Sequence, residues 1–286
     1  AEPTPLRNFD VMPRDNRPIG VFDSGVGGLT VLKHLMQRLP HERFVYLGDT
    51  ARVPYGNRSN ETVKIYAKQC ASFLMSHDVK LIVVACNTVS AVALEEVRAH
   101  SNVPVIGVIN PAARVAVNST SSGHIGVIGT RATIGSEAYA RAINDAGADS
   151  MHVHSRACPL LVPLVEEGWL DTAATRAIVE EYLRPLLTND IDTLVLGCTH
   201  YPLLMPVLQK MHPDITLVDC GACTADEAAA LLEDNSEETA EIADVDLYVT
   251  DQTPAFGHLA TQFLGKPVND PVVVSLETLT IEKEQA

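Results

Sequence analysis

Two cysteines end apolar runs in the same manner. Leu81-Ile-Val-Val-Ala leads into Cys86-Asn87-Thr88, and Thr193-Leu-Val-Leu-Gly leads into Cys198-Thr199-His200. A thiol acts as a base only as its thiolate, which a helix N-terminus or a neighbouring imidazole makes available. A lone cysteine at such a place more often packs than reacts; a matched pair shifts that balance. Opposed thiols suit one reaction class in particular, inversion of a carbon stereocentre. A single base would have to cross the substrate to remove a proton from one face and return one to the other. Two groups on opposite sides need not: one starts ionised, its partner protonated, and the roles swap with direction.

Other chemistry-bearing residues stand at further strand ends. Asp23-Ser24-Gly25-Val26-Gly27-Gly28 follows the run Ile19–Phe22. Its glycines let backbone N–H groups approach an anion at a helix N-terminus. The pattern is neither G-x-G-x-x-G nor a Walker loop with its lysine, so a small carboxylate suits it at least as well as a nucleotide. A tight turn capped by Asp23 is the plainer alternative. Pro54-Tyr55-Gly56 reads as a substrate-holding loop or a simple turn. Cys220-Gly-Ala-Cys223 follows a strand and opens a helix, as a thioredoxin-like dithiol does, yet it comes about three-quarters of the way along a chain unlike that small fold. His152 and His154 would share one side of a possible strand. No paired C-x-x-C or H-E-x-x-H accompanies them, so ordinary surface histidines are expected and no metal site.

The elements that must position these residues alternate. Strands are expected at Ile19–Phe22, Phe44–Leu47, Leu81–Val84, Val105–Val108, Ile125–Ile128, Thr193–Leu196 and Ile215–Val218. Several are apolar on consecutive positions, the mark of strands buried on both faces of a parallel sheet. Helical spacing runs through Glu61–Met75, Ala91–Ala99, Ala174–Leu187 and Thr224–Leu232. The chain also repeats itself. Ile19-Gly-Val-Phe returns as Ile125-Gly-Val-Ile, Val83-Val-Ala-Cys-Asn-Thr as Val195-Leu-Gly-Cys-Thr-His, and Pro104-Val-Ile-Gly-Val as Asp214-Ile-Thr-Leu-Val, each roughly 110 residues on. The expectation is an α/β fold of two pseudo-symmetric domains with mainly parallel sheets and the active site in the cleft between them. Residues 1–17 read as a flexible tail, 18–112 with roughly 224–286 as the first domain, and 113–223 as the second. Val245–Thr250 and Val272–Leu276 look like two more strands that the sequence alone does not place.

Composition narrows the function. Among 286 residues, 21 Lys and Arg face 36 Asp and Glu, a formal charge of −15. Nucleic-acid binding draws on cationic side chains, so this balance argues against it. No apolar run approaches the roughly 20 residues that span a bilayer. Six cysteines are too sparse for a disulfide scaffold, and the first residues lack a secretory signal, so reduced thiols in a cytoplasmic protein are expected. The stretch Glu233 to Asp246 holds seven acidic residues and no basic one, as a solvated linker would.

Five motifs, taken together, carry a family resemblance. Phe22-Asp-Ser-Gly-Val-Gly-Gly-Leu-Thr, Gly48-Asp-Thr-Ala-Arg-Val-Pro-Tyr-Gly, Ala85-Cys-Asn-Thr, Ala157-Cys-Pro with Val162-Pro-Leu-Val-Glu, and Leu196-Gly-Cys-Thr-His-Tyr-Pro closely resemble glutamate racemase, in that family's order, from about Pro18 to Ala225. The resemblance implies a cofactor-independent isomerase of the aspartate/glutamate racemase superfamily that supplies D-glutamate for peptidoglycan, and a homodimer. By motif position Cys86 would take the α-proton of D-glutamate and Cys198 that of L-glutamate. Asp23 would assist Cys86, while His200 and Glu166 would assist Cys198. Asp23, Ser24, Tyr55, Gly56, Asn87, Thr88, Thr130, Thr133, Thr199 and His200 would hold the amino acid. Asn110 and Cys220 depart from the glutamate and serine associated with the family at those places. No lysine stands at a strand-end site to form a Schiff base, so pyridoxal phosphate is not implied. A sister enzyme acting on aspartate and a non-catalytic amino-acid binding module are the competing readings.

Overall fold

A computed structural model describes residues 15–147, 151–233, 244–254 and 256–276. Most of the expected tail and of the acidic stretch lies outside these residues. Among the described residues ten strands form two sheets: β1 (Ile19–Asp23), β2 (Phe44–Gly48), β3 (Leu81–Val84), β4 (Val105–Gly107), β5 (His124–Gly129), β6 (His152–Ala157), β7 (Thr193–Gly197), β8 (Thr216–Asp219), β9 (Val245–Val249) and β10 (Val272–Val273). The first sheet has the order β10-β9-β2-β1-β3-β4 and the second β6-β5-β7-β8. Every pairing is parallel.

The internal repeat is visible in this topology. The order β2-β1-β3-β4 recurs as β6-β5-β7-β8, so β1 answers to β5 and β3 to β7. Each half crosses from strand to strand through helices, as parallel pairing requires. β9 and β10 then extend the first sheet beyond β2. Its strands thus come from both ends of the described chain, and the second sheet from the middle.

Strands β1, β2, β3 and β7 are buried at every position, which is why they read as unbroken apolar runs. β6 is an edge strand with a largely exposed, polar sequence. Its signal in the sequence was accordingly weak. The expected helix over Ala91–Ala99 is two, Asn87–Val92 and Leu94–His100, parted at Ala93, whose φ of −139° leaves the helical region. Helix Asn60–Met75 starts where the Ser59 hydroxyl accepts from the Thr62 amide at 3.3 Å.

One core serves both halves. Leu32 and Leu35 of helix Leu29–Arg38, Ala112 of helix Ile109–Ser119, Ala228 of helix Cys220–Leu231, and Val127 and Leu196 of the second sheet belong to a single buried cluster. A second cluster, with Phe22, Ile82, Ala67 and Leu74, covers the other face of the first sheet. Helix Cys220–Leu231 packs on Leu29–Arg38 and on Ile109–Ser119, binding the two sheets from behind.

Candidate active site

The carboxyl ends of β1, β3, β5 and β7 converge on one cavity of about 460 Å³. Ser24 follows β1, Cys86-Asn87-Thr88 follow β3, Thr130 follows β5 and Cys198-Thr199-His200 follow β7, and all of these line it. Ligands of open α/β sheets gather at such ends. Tyr55, Gly56 and Glu166 line it too. Asp23 and Thr133 are not among the lining residues. Asp23 is 1 % exposed next to Ser24, and Thr133 touches the wall through Thr88 and Thr130, whose hydroxyls lie 3.3 and 2.9 Å from its own.

The two thiols meet opposite electrostatic surroundings. Cys86 caps helix Asn87–Val92, and its thiol donates to the Ser24 hydroxyl at 3.5 Å. Burial first, and then the neighbouring Asp23 charge, pushes this thiol up to about 12, so at neutral pH it is protonated. Asp23 accepts from the Gly25 amide at 3.0 Å through Oδ2, while its buried Oδ1 has no hydrogen-bond partner among the described residues. Burial raises its pKa above the ordinary value.

Cys198 faces an imidazole instead. Its sulfur is 3.9 Å from His200 Nδ1, and His200 Nε2 is 3.0 Å from Glu166 Oε1. Burial pulls His200 down, but the sulfur and the carboxylate together outweigh it and hold the ring up at about 10. At neutral pH His200 is therefore an imidazolium, and it faces the Cys198 sulfur. Phe263 of helix Phe256–Leu264 stands edge-on to the imidazole with centroids 5.0 Å apart.

Glu166 ends helix Leu161–Glu166. Pro163 does not break this helix because it sits in the first turn, where no intrahelical acceptor is owed an N–H. Gly168 then turns the chain away with φ of +72°.

Two glycines set how closely the halves approach. A Cβ on Gly27 would lie 2.4 Å from Thr199 Oγ1 and 2.5 Å from His200 Nδ1, and one on Gly56 would lie 3.0 Å from Thr130 Cβ. Nearby, the Thr30 hydroxyl donates to the Thr199 carbonyl at 2.9 Å. Thr88 and Thr130 join across the same seam, their hydroxyls 3.0 Å apart. The Tyr55 hydroxyl donates to Asp49, which also accepts from Arg52 Nε at 2.6 Å and Thr250 at 2.9 Å. Asp49 is thus the buried anchor of the 53–57 loop, a role the sequence did not reveal.

Other lining residues also escaped sequence reasoning. Val53, Val162 and Leu259 form apolar wall, and Thr253 joins them, whereas Pro54, of the candidate loop Pro54-Tyr55-Gly56, lines the cavity as that reading anticipated. The C-terminal helix that brings Leu259 and Phe263 carries no motif. Of the competing sites, His152 and His154 gain a neighbour in His124, whose Nδ1 is 3.2 Å from His154 Nε2. Among the described residues no group of three or more His, Cys, Asp or Glu can hold a metal. Cys220 and Cys223, both buried on helix Cys220–Leu231, are not joined in a disulfide. No helix among the described residues is long and apolar enough to cross a membrane.

Twinned parallel sheets and two thiols on one cavity define the class: the chain belongs to the Asp/Glu/Hydantoin racemase family, whose model matches residues 23–228. It is 53 % identical over 252 residues to glutamate racemase of Syntrophus aciditrophicus, covering 87 % of this chain and 93 % of that one. The crystal structure of glutamate racemase from Francisella tularensis in complex with D-glutamate superposes with a TM-score of 0.84 at 38 % identity, covering 92 % of this chain and 99 % of the other. An aspartate racemase homologue from Pyrococcus horikoshii, 18 % identical with a TM-score of 0.57 over 76 % of this chain and 99 % of its own, shares the fold. Within the family the chain stands among the glutamate racemases, and it is an isomerase.

Proposed function

We propose that the protein interconverts L- and D-glutamate by direct proton transfer between Cys86, Cys198 and the α-carbon, without a cofactor. The observation that carries this reading is the unlike pair of thiols on one cavity, one protonated beside Asp23 and one facing an imidazolium. From L-glutamate, the Cys198 thiolate takes the α-proton and the Cys86 thiol returns its own to the opposite face. D-glutamate leaves behind a Cys198 thiol and a Cys86 thiolate, and the reverse reaction runs from that state. Asp23 and His200 are placed to return the protons to their starting positions. Negative charge spreading onto the substrate carboxylate during the transfer requires oriented donors. Ser24, Thr88 and Thr199 hydroxyls and the unpartnered Asn87 Nδ2 are positioned to supply them.

Similarity to glutamate racemases supports glutamate over aspartate as substrate. The same reading makes the protein a cytoplasmic homodimer that supplies D-glutamate to peptidoglycan. It takes residues 18–112 with about 224–286 and residues 113–223 as its two domains. The test is incubation of each pure enantiomer of glutamate, and of aspartate, in heavy water with mass-spectrometric detection at Cα. Deuterium entering both glutamate enantiomers as they interconvert is expected. Folded protein that binds glutamate without exchange would make it a binding module, and exchange into aspartate alone would change the substrate.

A further inference from the structure

We propose that Tyr139 is a positioning residue that locks the Asn87 side-chain amide with its oxygen turned away and its nitrogen offered to the substrate carboxylate, an inference that rests on the glutamate reading of the cavity. Asn87 is the first residue of the helix that Cys86 caps, so its amide lies within one residue of a reacting thiol. An asparagine amide can turn over about its last torsion at small intrinsic cost, since that torsion is broad and roughly two-fold. The two orientations are chemically opposite. One presents two N–H donors to a carboxylate, and the other sets a carbonyl oxygen against it.

What chooses between them is a buried chain of hydrogen bonds. The Tyr139 hydroxyl, on helix Ala138–Gly147 of the other half, donates to Asn87 Oδ1 at 2.6 Å. Among the described residues its only competing acceptor is the Cys220 sulfur at 2.9 Å. Sulfur accepts weakly. The Cys220 thiol, kept protonated by burial, donates in turn to the Leu196 carbonyl at 3.2 Å. The single phenolic proton therefore goes to the amide oxygen. Asn87 Nδ2 is left buried with no partner among the described residues. Tyr139, Asn87 and Cys220 are each at most 3 % exposed, so water does not compete for these groups. A desolvated donor without a partner is costly, and Asn87 lines the cavity in which the substrate carboxylate would bind. The chain also joins the residue after Cys86 to Leu196 of β7, two residues before Cys198. The amide is thereby oriented by the opposite half of the molecule.

Tyr139→Phe keeps the ring and deletes the lock. KM for both glutamate enantiomers should rise on the order of tenfold, the usual scale for misplacing a hydrogen bond to a charged group, with kcat within about threefold. Calorimetric Kd values for D-glutamate in wild type, Tyr139→Phe, Asn87→Ala and the double variant show whether Tyr139 acts through Asn87. The tenfold loss should vanish in the Asn87→Ala background, or in Asn87→Ser if the alanine variant does not fold. An unchanged KM in Tyr139→Phe overturns the assignment, and so does an equal loss in both backgrounds. In ligand-free protein, the Asn87 side-chain NH2 resonances should be sharp in wild type and broadened by amide turnover in Tyr139→Phe. That readout needs no substrate. A wild-type protein that fails to exchange the α-hydrogen sinks the glutamate reading alone, while the resonances still decide for or against the Tyr139 lock.

Discussion

Replacing Gly27 by alanine tests how tightly the two halves must close. The added Cβ would meet Thr199 Oγ1 at 2.4 Å and His200 Nδ1 at 2.5 Å, where an ordinary contact starts at 3.4 Å. The shortfall, 3.4 less 2.4, is about 1 Å. Little on the far side can yield. The imidazole is held by Glu166 at 3.0 Å and by the Phe263 edge, and the Thr199 carbonyl by Thr30 at 2.9 Å. The strain therefore moves the Cys198-Thr-His segment away from the β1 loop. Overpacking of this kind costs about 1–3 kcal/mol of stability, which a protein with about 5–15 kcal/mol in hand survives. Misplacing a reacting group by about 1 Å costs on the order of a hundredfold in rate. The two enantiomers have equal free energy in solution, so kcat/KM must fall by the same factor in both directions. Circular dichroism at fixed wavelength, started from each pure enantiomer, measures this directly. A folded Gly27→Ala protein within threefold of wild-type kcat/KM would refute the claim that this contact sets the site geometry.

Cys86→Ala and Cys198→Ala should each abolish interconversion while leaving the far-ultraviolet dichroism unchanged; full activity in either would remove that thiol from the mechanism. His200 is raised from 6.5 to about 10, so its charged form is lost as pH climbs through about 10, and kcat/KM should fall there. Linkage gives the same sign for stability: the contribution is complete below pH 6.5 and is lost between there and about 10. At about 1.4 kcal/mol per unit this is on the order of 5 kcal/mol as an upper bound, of which the half-exposed Glu166 returns part to solvent. Unfolding midpoints across that range should decline in wild type and flatten in His200→Asn; parallel slopes would count against the ion pair. Lys80 and Glu42 form a buried ion pair at 2.5 Å, each side chain 6 % exposed. Lys80→Met removes the buried ammonium that faces Glu42 and should lower the urea unfolding midpoint; an unchanged midpoint would contradict this.

What the sequence disclosed follows from where each residue is buried. β1, β3 and β7 are covered on both faces, so their apolar runs stood out, and their ends delivered Asp23, Cys86 and Cys198. The offset near 110 residues between the cysteine motifs foretold the repeated strand order. β6 was faint because an edge strand needs few apolar residues, and β10 is two residues where five were expected. Tyr139 against Asn87, Asp49 under Tyr55 and Phe263 against His200 left no trace of their roles. The first and the last of those contacts join segments distant in the chain, and the second, six residues long, closes only when the 53–57 loop folds back on β2's end.

That the first sheet draws on both flanks of the second has a consequence during synthesis. A nascent chain leaving the ribosome can fold β5 to β8 as soon as helix Cys220–Leu231 has emerged, but β2 then still waits for β9. Leu259 and Phe263 arrive later still, and they are the last described residues to reach the cavity wall and the imidazole. A chain stopped before residue 256 would therefore carry both thiols yet lack Leu259 in the cavity wall and the Phe263 ring against His200.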